Sequence, residues 1–336
     1  MVNEQLQFDA AVMPVENAQQ AKTAPLRINV EMLALAREAK GYTQKELAEK
    51  IGCNQSRLSK IESGELMAQE SDVQNFARIL EQGRAFFFGK GTSMPANVSF
   101  YRKTQTLPLK MLRQCNAQMN VRRLEIERQI GDTKLGTRAL PFIPPEENGG
   151  AAAVAKRLRQ EWGLKKGAVR CLTNLVEETG SVIVDYPFPS PKLDGLCIRV
   201  PRRPPIIFLN KDLPKSRRRL SLAHELGHLV MHTNPHEQVE DEAWEFAGEF
   251  LMPSAEIGKQ LSHLNLDKLC QLKKEWGVSM QAILYRAKKL GEIGESNYRY
   301  LWMQIGKCGY RVNEPLEDLI PDEKPTELEQ RLKPDT

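Results

Sequence analysis

His224-Glu225-Leu226-Gly227-His228 places two histidines four residues apart, with a glutamate directly after the first. Positions four apart on an α-helix share a face and lie roughly 5 to 6 Å from each other, so both imidazoles can reach a single ion. The glutamate beside the first can approach a water on that ion, the arrangement of an H-E-x-x-H metal site. Zinc at such a site lowers the pKa of its water toward about 7. Glu225 is then the general base that takes the water's proton and passes it to the leaving amine of a peptide. The flanking Leu222, Ala223, Leu226, Gly227, Leu229 and Val230 are uncharged and suit a dry wall. Only five histidines occur in the chain, and four of them (His224, His228, His232 and His236) fall in this one segment, which sets the motif apart from a chance match on an amphipathic helix.

Two ligands leave a catalytic zinc one short, since such sites commonly use three and a water. His232 stands eight residues beyond His224, about 12 Å along a straight helix, and three successive turns converge poorly on one ion. It reads as a residue that supports a ligand or caps the helix. A carboxylate from the next helix, Val239 to Phe250, approaches from another direction. Glu240 shares a face with Ala243 and Ala247, small residues that let the two helices pack closely, and is the preferred third ligand, with Glu242 as the alternative.

Upstream, three short runs rich in β-formers, Ser181 to Tyr186, Leu196 to Val200 and Ile206 to Leu209, predict a small sheet just before the motif helix, which is expected over Leu220 to His232. A substrate peptide is expected to lie extended along an exposed strand edge, with Ile206 to Leu209 the candidate. His236 or Tyr285 could act as an electrophile toward the developing oxyanion. Further helices are expected at about 265 to 275 and 279 to 290. The stretch from Asn313, heavy in Pro, Glu, Asp and Lys, reads as disordered.

The N-terminal part has a different character. From Arg27 to about Glu81 the chain reads as short helices broken at Lys40-Gly41-Tyr42-Thr43, Gly52-Cys53-Asn54 and Ser63-Gly64-Glu65. Thr43 is a candidate N-cap, and Leu47, Ala48, Ile51, Leu58 and Ile61 form an apolar seam between two helices joined by a sharp turn. That is the plan of a helix-turn-helix, whose second helix can enter the major groove of DNA. Asn54, Gln55, Ser56, Arg57, Ser59 and Lys60 are available to bases or phosphates, and Gln44 to a phosphate. A helical bundle with a polar surface is the competing reading.

Both regions resemble known families. His224 to His232 reads HELGHLVMH, followed by Glu240-Asp241-Glu242-Ala243-Trp244-Glu245-Phe246-Ala247 and Phe250-Leu251-Met252-Pro253. This is similar to the ImmA/IrrE metallopeptidases, with HELGH, then E-x-E-A-x-x-F-A and L-M-P, over about residues 160 to 295. The resemblance implies a zincin-like fold, two histidines and one glutamate on zinc, and regulated cleavage of a transcriptional repressor in phage, mobile-element or stress control. Trp244 departs from it, standing where Asn or Asp is frequent. Thr43-Gln44 through Ile61-Glu62-Ser63-Gly64 resembles the Cro/C1-type (XRE) helix-turn-helix over about 27 to 82, which implies binding to pseudo-palindromic operators as a homodimer.

The totals agree with this plan. In 336 residues, 41% hydrophobic and 27% charged, there is room for two or three globular units, and no apolar run approaches the length of a membrane span. Met1-Val2-Asn3-Glu4-Gln5-Leu6 lacks a basic-then-apolar signal pattern, so the expected compartment is the cytoplasm. Six scattered cysteines without a C-x-x-C pair read as reduced thiols, mostly in cores. The net charge of +5 is small for this length, and basic clusters such as Arg102-Lys103 and Lys215 to Arg219 read as solvated faces.

The expected molecule is multidomain and mainly α, with an all-α helix-turn-helix domain followed by an α+β zincin-like metallopeptidase domain with a small sheet. Its parts are a mobile arm at 1–26, the DNA-binding unit at 27–85, a helical connector at 86–160, the peptidase domain at 161–300 and a partly disordered tail at 301–336. Its expected ligand set is Zn²⁺ on His224, His228 and Glu240, with Glu225 catalytic. The partners are operator DNA and a protein substrate, with no membrane. The alternative from another class is a transcription factor whose zincin-like domain senses a ligand or partner and cleaves little or nothing.

Overall fold

The structure is a computed structural model and describes residues 24–94, 108–131, 133, 135–234, 236–326 and 328. Most of the expected arm, the Arg102-Lys103 pair and the last residues of the tail lie outside these.

Local signals define the N-terminal helices α1 (Val30–Ala39), α2 (Gln44–Ile51), α3 (Gln55–Glu62) and α4 (Glu70–Leu80). Asn29 caps α1, and Thr43 caps α2 in a reciprocal box with Glu46. Gly52, at φ 75°, ends α2 in the left-handed region that a side chain disfavours, and Asn54 then caps α3 two residues later. The result is a tight turn between α2 and α3. Leu33, Leu47, Leu58, Ile61, Val73, Phe76 and Phe87 close a core of their own beneath it.

The long α5 (Leu109–Ile130) braces this unit against the rest of the chain. One side packs Ala117 and Val121 on Met32 and Leu35 of α1, while another lays Leu112, Cys115, Met119, Ile126 and Ile130 on the sheet.

That sheet has strands β1 (Val182–Tyr186), β2 (Gly195–Ile198) and β3 (Ile206–Asn210) in the order β1-β3-β2, with β1 parallel and β2 antiparallel to β3. Strand periodicity divides its side chains between two cores. Val182, Val184, Leu196, Ile198, Ile206 and Phe208 face α5, and Ile183, Cys197, Ile207 and Leu209 face the helical core of the C-terminal domain. The expectation that Ile206 to Leu209 offers a free edge is therefore incorrect. β3 is the central strand, every residue buried and paired on both sides, and the free edge beside the motif helix belongs to β2.

The helices of this domain are α6 (Ala151–Glu161), α7 (Leu172–Glu177), α8 (Lys215–Met231), α9 (Val239–Leu251), the short α10 (Ser254–Ile257), α11 (Leu266–Trp276), α12 (Met280–Lys289) and α13 (Glu295–Lys307). α8 carries the motif and begins five residues before the expected Leu220. Its basic start is ion-paired, Arg217 with Asp194 and Arg218 with Asp185.

Two expected boundaries change. α6, assigned to the connector, packs Val154, Ala155 and Leu158 into the same core as α8 and α9. The tail does not begin at 301, because α13 spans that point with Leu301 and Ile305 buried in that core. The segment after it is tied down by carboxylates. The Lys273 ammonium, fully buried, lies 2.8 Å from Glu314 and 2.5 Å from Glu317. Glu317 also accepts from Ser216 N at the start of α8, and Glu323 pairs with Arg219 and accepts from Thr173 N.

Candidate metal centre

α8 is buried on every face from Ser221 to Met231, as expected of a helix inside a domain rather than on its surface. Its partner α9 crosses close by because Gly227, between the two motif histidines, has no side chain. A Cβ there would sit 2.9 Å from the Phe246 ring.

That approach brings Glu240, in the first turn of α9, to the histidine pair. His224 Nε2 and His228 Nε2 are 3.0 Å apart, Glu240 Oε1 is 3.2 Å from His228 Nε2, and Glu240 Oε2 is 3.6 Å from His224 Nε2. Ligand atoms on a tetrahedral zinc with bonds of about 2 Å are about 3.3 Å from one another. Two imidazole nitrogens and one carboxylate at these separations fit such an ion, and a fourth position is left for water.

Glu225 is buried and faces β2, where a Cβ on Gly195 would stand 3.3 Å from its Cγ. The Cys197 thiol hydrogen-bonds to Glu225. Burial first, and the Glu225 charge second, push that thiol well above its ordinary range and keep its proton in place as a donor. Trp244, one turn beyond Glu240, lays its ring on His224, with centroids 4.1 Å apart and planes at 33°. Trp244 and Tyr285 also line two neighbouring clefts of about 560 and 470 Å³.

His232 stays outside the ligand cluster. It is the C-cap of α8, with its Nδ1 3.0 Å from His228 Nδ1 and its Nε2 2.9 Å from Glu242 Oε2. Burial, with His228 adding to it, pushes its pKa down to about 4 against the opposing pull of Glu242. His236 is half exposed and turns toward the same Glu242 oxygen at 3.5 Å, away from His224. Tyr285 is half exposed. Neither is among the residues that converge on the ligand cluster. Cys197 and Gly195 are the members of this neighbourhood that motif reading overlooks, and Glu242, weighed there as the alternative third ligand, instead pairs with His232. The only advance signal is the four-residue step from His228 to His232, which places a third imidazole over the second.

The seven residues expected to meet DNA divide. Gln55, Ser56 and Lys60 are exposed on α3, and Ser59 is partly so. Asn54 uses its side chain to cap α3, accepting from Arg57 N at 2.7 Å. Arg57 is held by Asp72 of α4 at 2.6 Å. Gln44 donates to Glu62, which Arg37 also grips through both oxygens. In this conformation, therefore, Gln44 and Arg57 serve the packing of the unit.

Fold and site together describe a two-part molecule, a helix-turn-helix unit joined to an α+β domain that carries a candidate metal centre. Comparison with protein families agrees: residues 31–85 match the helix-turn-helix domain, and residues 176–288 match the IrrE N-terminal-like domain, a family of metallopeptidases, Peptidase M78. The second match runs from the end of α7 through the sheet, α8 and α9 to α12, and so contains every residue of the candidate centre. No curated protein matches the chain. Among the described residues, no helix is long and apolar enough to cross a membrane.

Proposed function

We propose that this chain is a DNA-binding regulator with zinc-dependent endopeptidase activity, and that its substrate is a regulatory protein, a transcriptional repressor before others. The observation that carries the reading is the convergence of His224, His228 and Glu240 at zinc-ligand separations with Glu225 beside them. Zinc held there would polarise the scissile carbonyl and acidify a water. Glu225 takes up and returns the proton, and Cys197 and Gly195 of β2 fix where its carboxylate sits. An extended peptide adds to the free edge of β2, which brings its backbone alongside Glu225. α3 localises the molecule on its operator through Gln55, Ser56 and Lys60, as one half of a symmetric pair.

Replacing Glu225 with Gln keeps the size and removes the base. Proteomes of cells carrying wild type and Glu225→Gln should differ by one or a few proteins that are cleaved only in the former, while the purified variant keeps its zinc and its operator. Loss of the same proteins in both strains would refute the peptidase reading and favour a sensor domain.

A further inference from the structure

The contacts around His228 account for every proton on three side chains. For its Nε2 lone pair to face the metal, the neutral imidazole must carry its proton on Nδ1. That nitrogen lies 3.0 Å from His232 Nδ1, which must then be the acceptor and hold no proton. The His232 proton is left on Nε2, and there Glu242 Oε2 waits at 2.9 Å to accept it. A carboxylate accepts only, so it selects one tautomer of His232, and His232 in turn selects one tautomer of His228.

We infer that Glu242 and His232 form a positioning relay that fixes the His228 proton on Nδ1 and presents its Nε2 to the metal, an inference that rests on the metal reading of the site. Ligand histidines commonly donate their second nitrogen to a carboxylate or carbonyl, which orients the ring and raises its basicity. Here the carboxylate acts through a second imidazole. The spacing permits this because His232 is one turn beyond His228 and caps the helix, and Glu242 is two residues beyond Glu240 on α9. One pair of helices thus supplies both the ligands and the groups that orient them.

His232, His236 and Glu242 also converge closely enough to hold an ion of their own. Proton count argues against that when the first site is filled. A metal on His232 Nε2 would move its proton to Nδ1, where it would meet the Nδ1 proton of His228 across 3.0 Å. The relay and a second metal exclude each other.

The test uses the full chain stripped of metal, zinc alone as probe, competition with a chromophoric chelator for affinity, and nitrogen-15 spectra of the histidine rings for tautomers. Glu242→Ala should weaken zinc binding by about 10- to 100-fold and release His232 from its single Nε2-protonated form. Glu242→Gln, whose amide oxygen still accepts, should recover much of the affinity and keep His232 protonated on Nε2, whereas Glu242→Met, of similar size but with no such acceptor, should not, and a mere packing role would be served by either. Zinc affinity unchanged in Glu242→Ala would overturn the relay, as would an Nδ1-protonated His232 in the loaded wild type. So would a second zinc in the wild type that His236→Ala abolishes. If Glu242→Ala fails to fold, the His232 tautomer in the wild type decides alone. His228→Ala runs in parallel: wild-type zinc affinity there would defeat the metal reading itself, whereas affinity lost there but kept in Glu242→Ala would defeat only the relay.

Discussion

Gly227→Ala sets two opposite effects against each other, and the structure decides the sign. On helix propensity alone the change stabilises by about 1 kcal/mol, because Gly is the costlier residue in a helix interior. The new Cβ, however, would lie 2.9 Å from Phe246 Cδ1, 3.2 Å from Cγ and 3.4 Å from Cβ. Phe246 cannot swing aside: it is fully buried and stacked on Phe250 with centroids 5.5 Å apart and planes at 11°. Overpacking of this kind costs about 1 to 3 kcal/mol, so the net effect is a loss of up to about 2 kcal/mol. At about 2 to 4 °C per kcal/mol for a unit of this size, thermal unfolding of the metal-free protein should shift downward by a few degrees. Relief comes by moving α9 away from α8, by about 0.5 Å if an ordinary contact is to be restored, and Glu240 rides on α9. A metal site tolerates only about that much displacement, so zinc affinity measured by chelator competition should fall by about tenfold or more. A variant that melts higher than wild type and binds zinc equally well would refute the reasoning, for it would mean that propensity governs and that the close approach of the helices does not hold Glu240, the proposed third ligand.

Lys273→Met leaves Glu314 and Glu317 without their shared cation and should cost about 3 to 5 kcal/mol near neutral pH, read from denaturant unfolding. Burial alone would raise Glu317, but the hydrogen bonds from Lys273 and Ser216 outweigh it and hold the carboxyl below its ordinary 4.5. Its contribution is therefore complete above about 4.5 and lost as the pH falls through the lower folded value, so the gap between wild type and variant should narrow with acid; a gap constant from pH 7 to 3 would contradict the assignment. On DNA, Lys60→Ala should weaken binding about equally for all sequences and lower the salt slope by about 1, whereas Gln55→Ala should relax the preference for particular bases. Identical losses on operator and random DNA for both would remove α3 from the groove.

Features whose partners stand within a turn or two of one another were legible in the sequence. The N-cap at Thr43, the sharp turn at Gly52-Cys53-Asn54 and the paired His224 and His228 all depend on short spacings, which the chain displays directly. The nearness of Glu240 and Glu242 to the histidines was nearly as local. Both turn toward the histidine row at different heights, the first to His224 and His228 and the second to His232. Ile206 to Leu209 carried its own warning, since an unbroken apolar run marks a strand covered on both faces, whereas a half-exposed strand alternates.

What composition could not reveal is long-range pairing. The segment after Asn313 has the charge and proline content of a disordered tail, yet Glu314 finds Lys273 41 residues away and Glu323 finds Thr173 150 residues away. The same blindness affected the helix-turn-helix, where Arg57 of α3 and Gln44 of α2 read as available to DNA because Asp72 and Glu62 lie 15 and 18 residues further on. In each case a charged or amide side chain counted as solvated surface was held by a partner that only the fold supplies. The burial of Lys273 illustrates the physical reason: an ammonium with no exposure is tolerable only if its partners accompany it into the core, so the lysine and the acidic tail become ordered together, and neither sequence alone shows it.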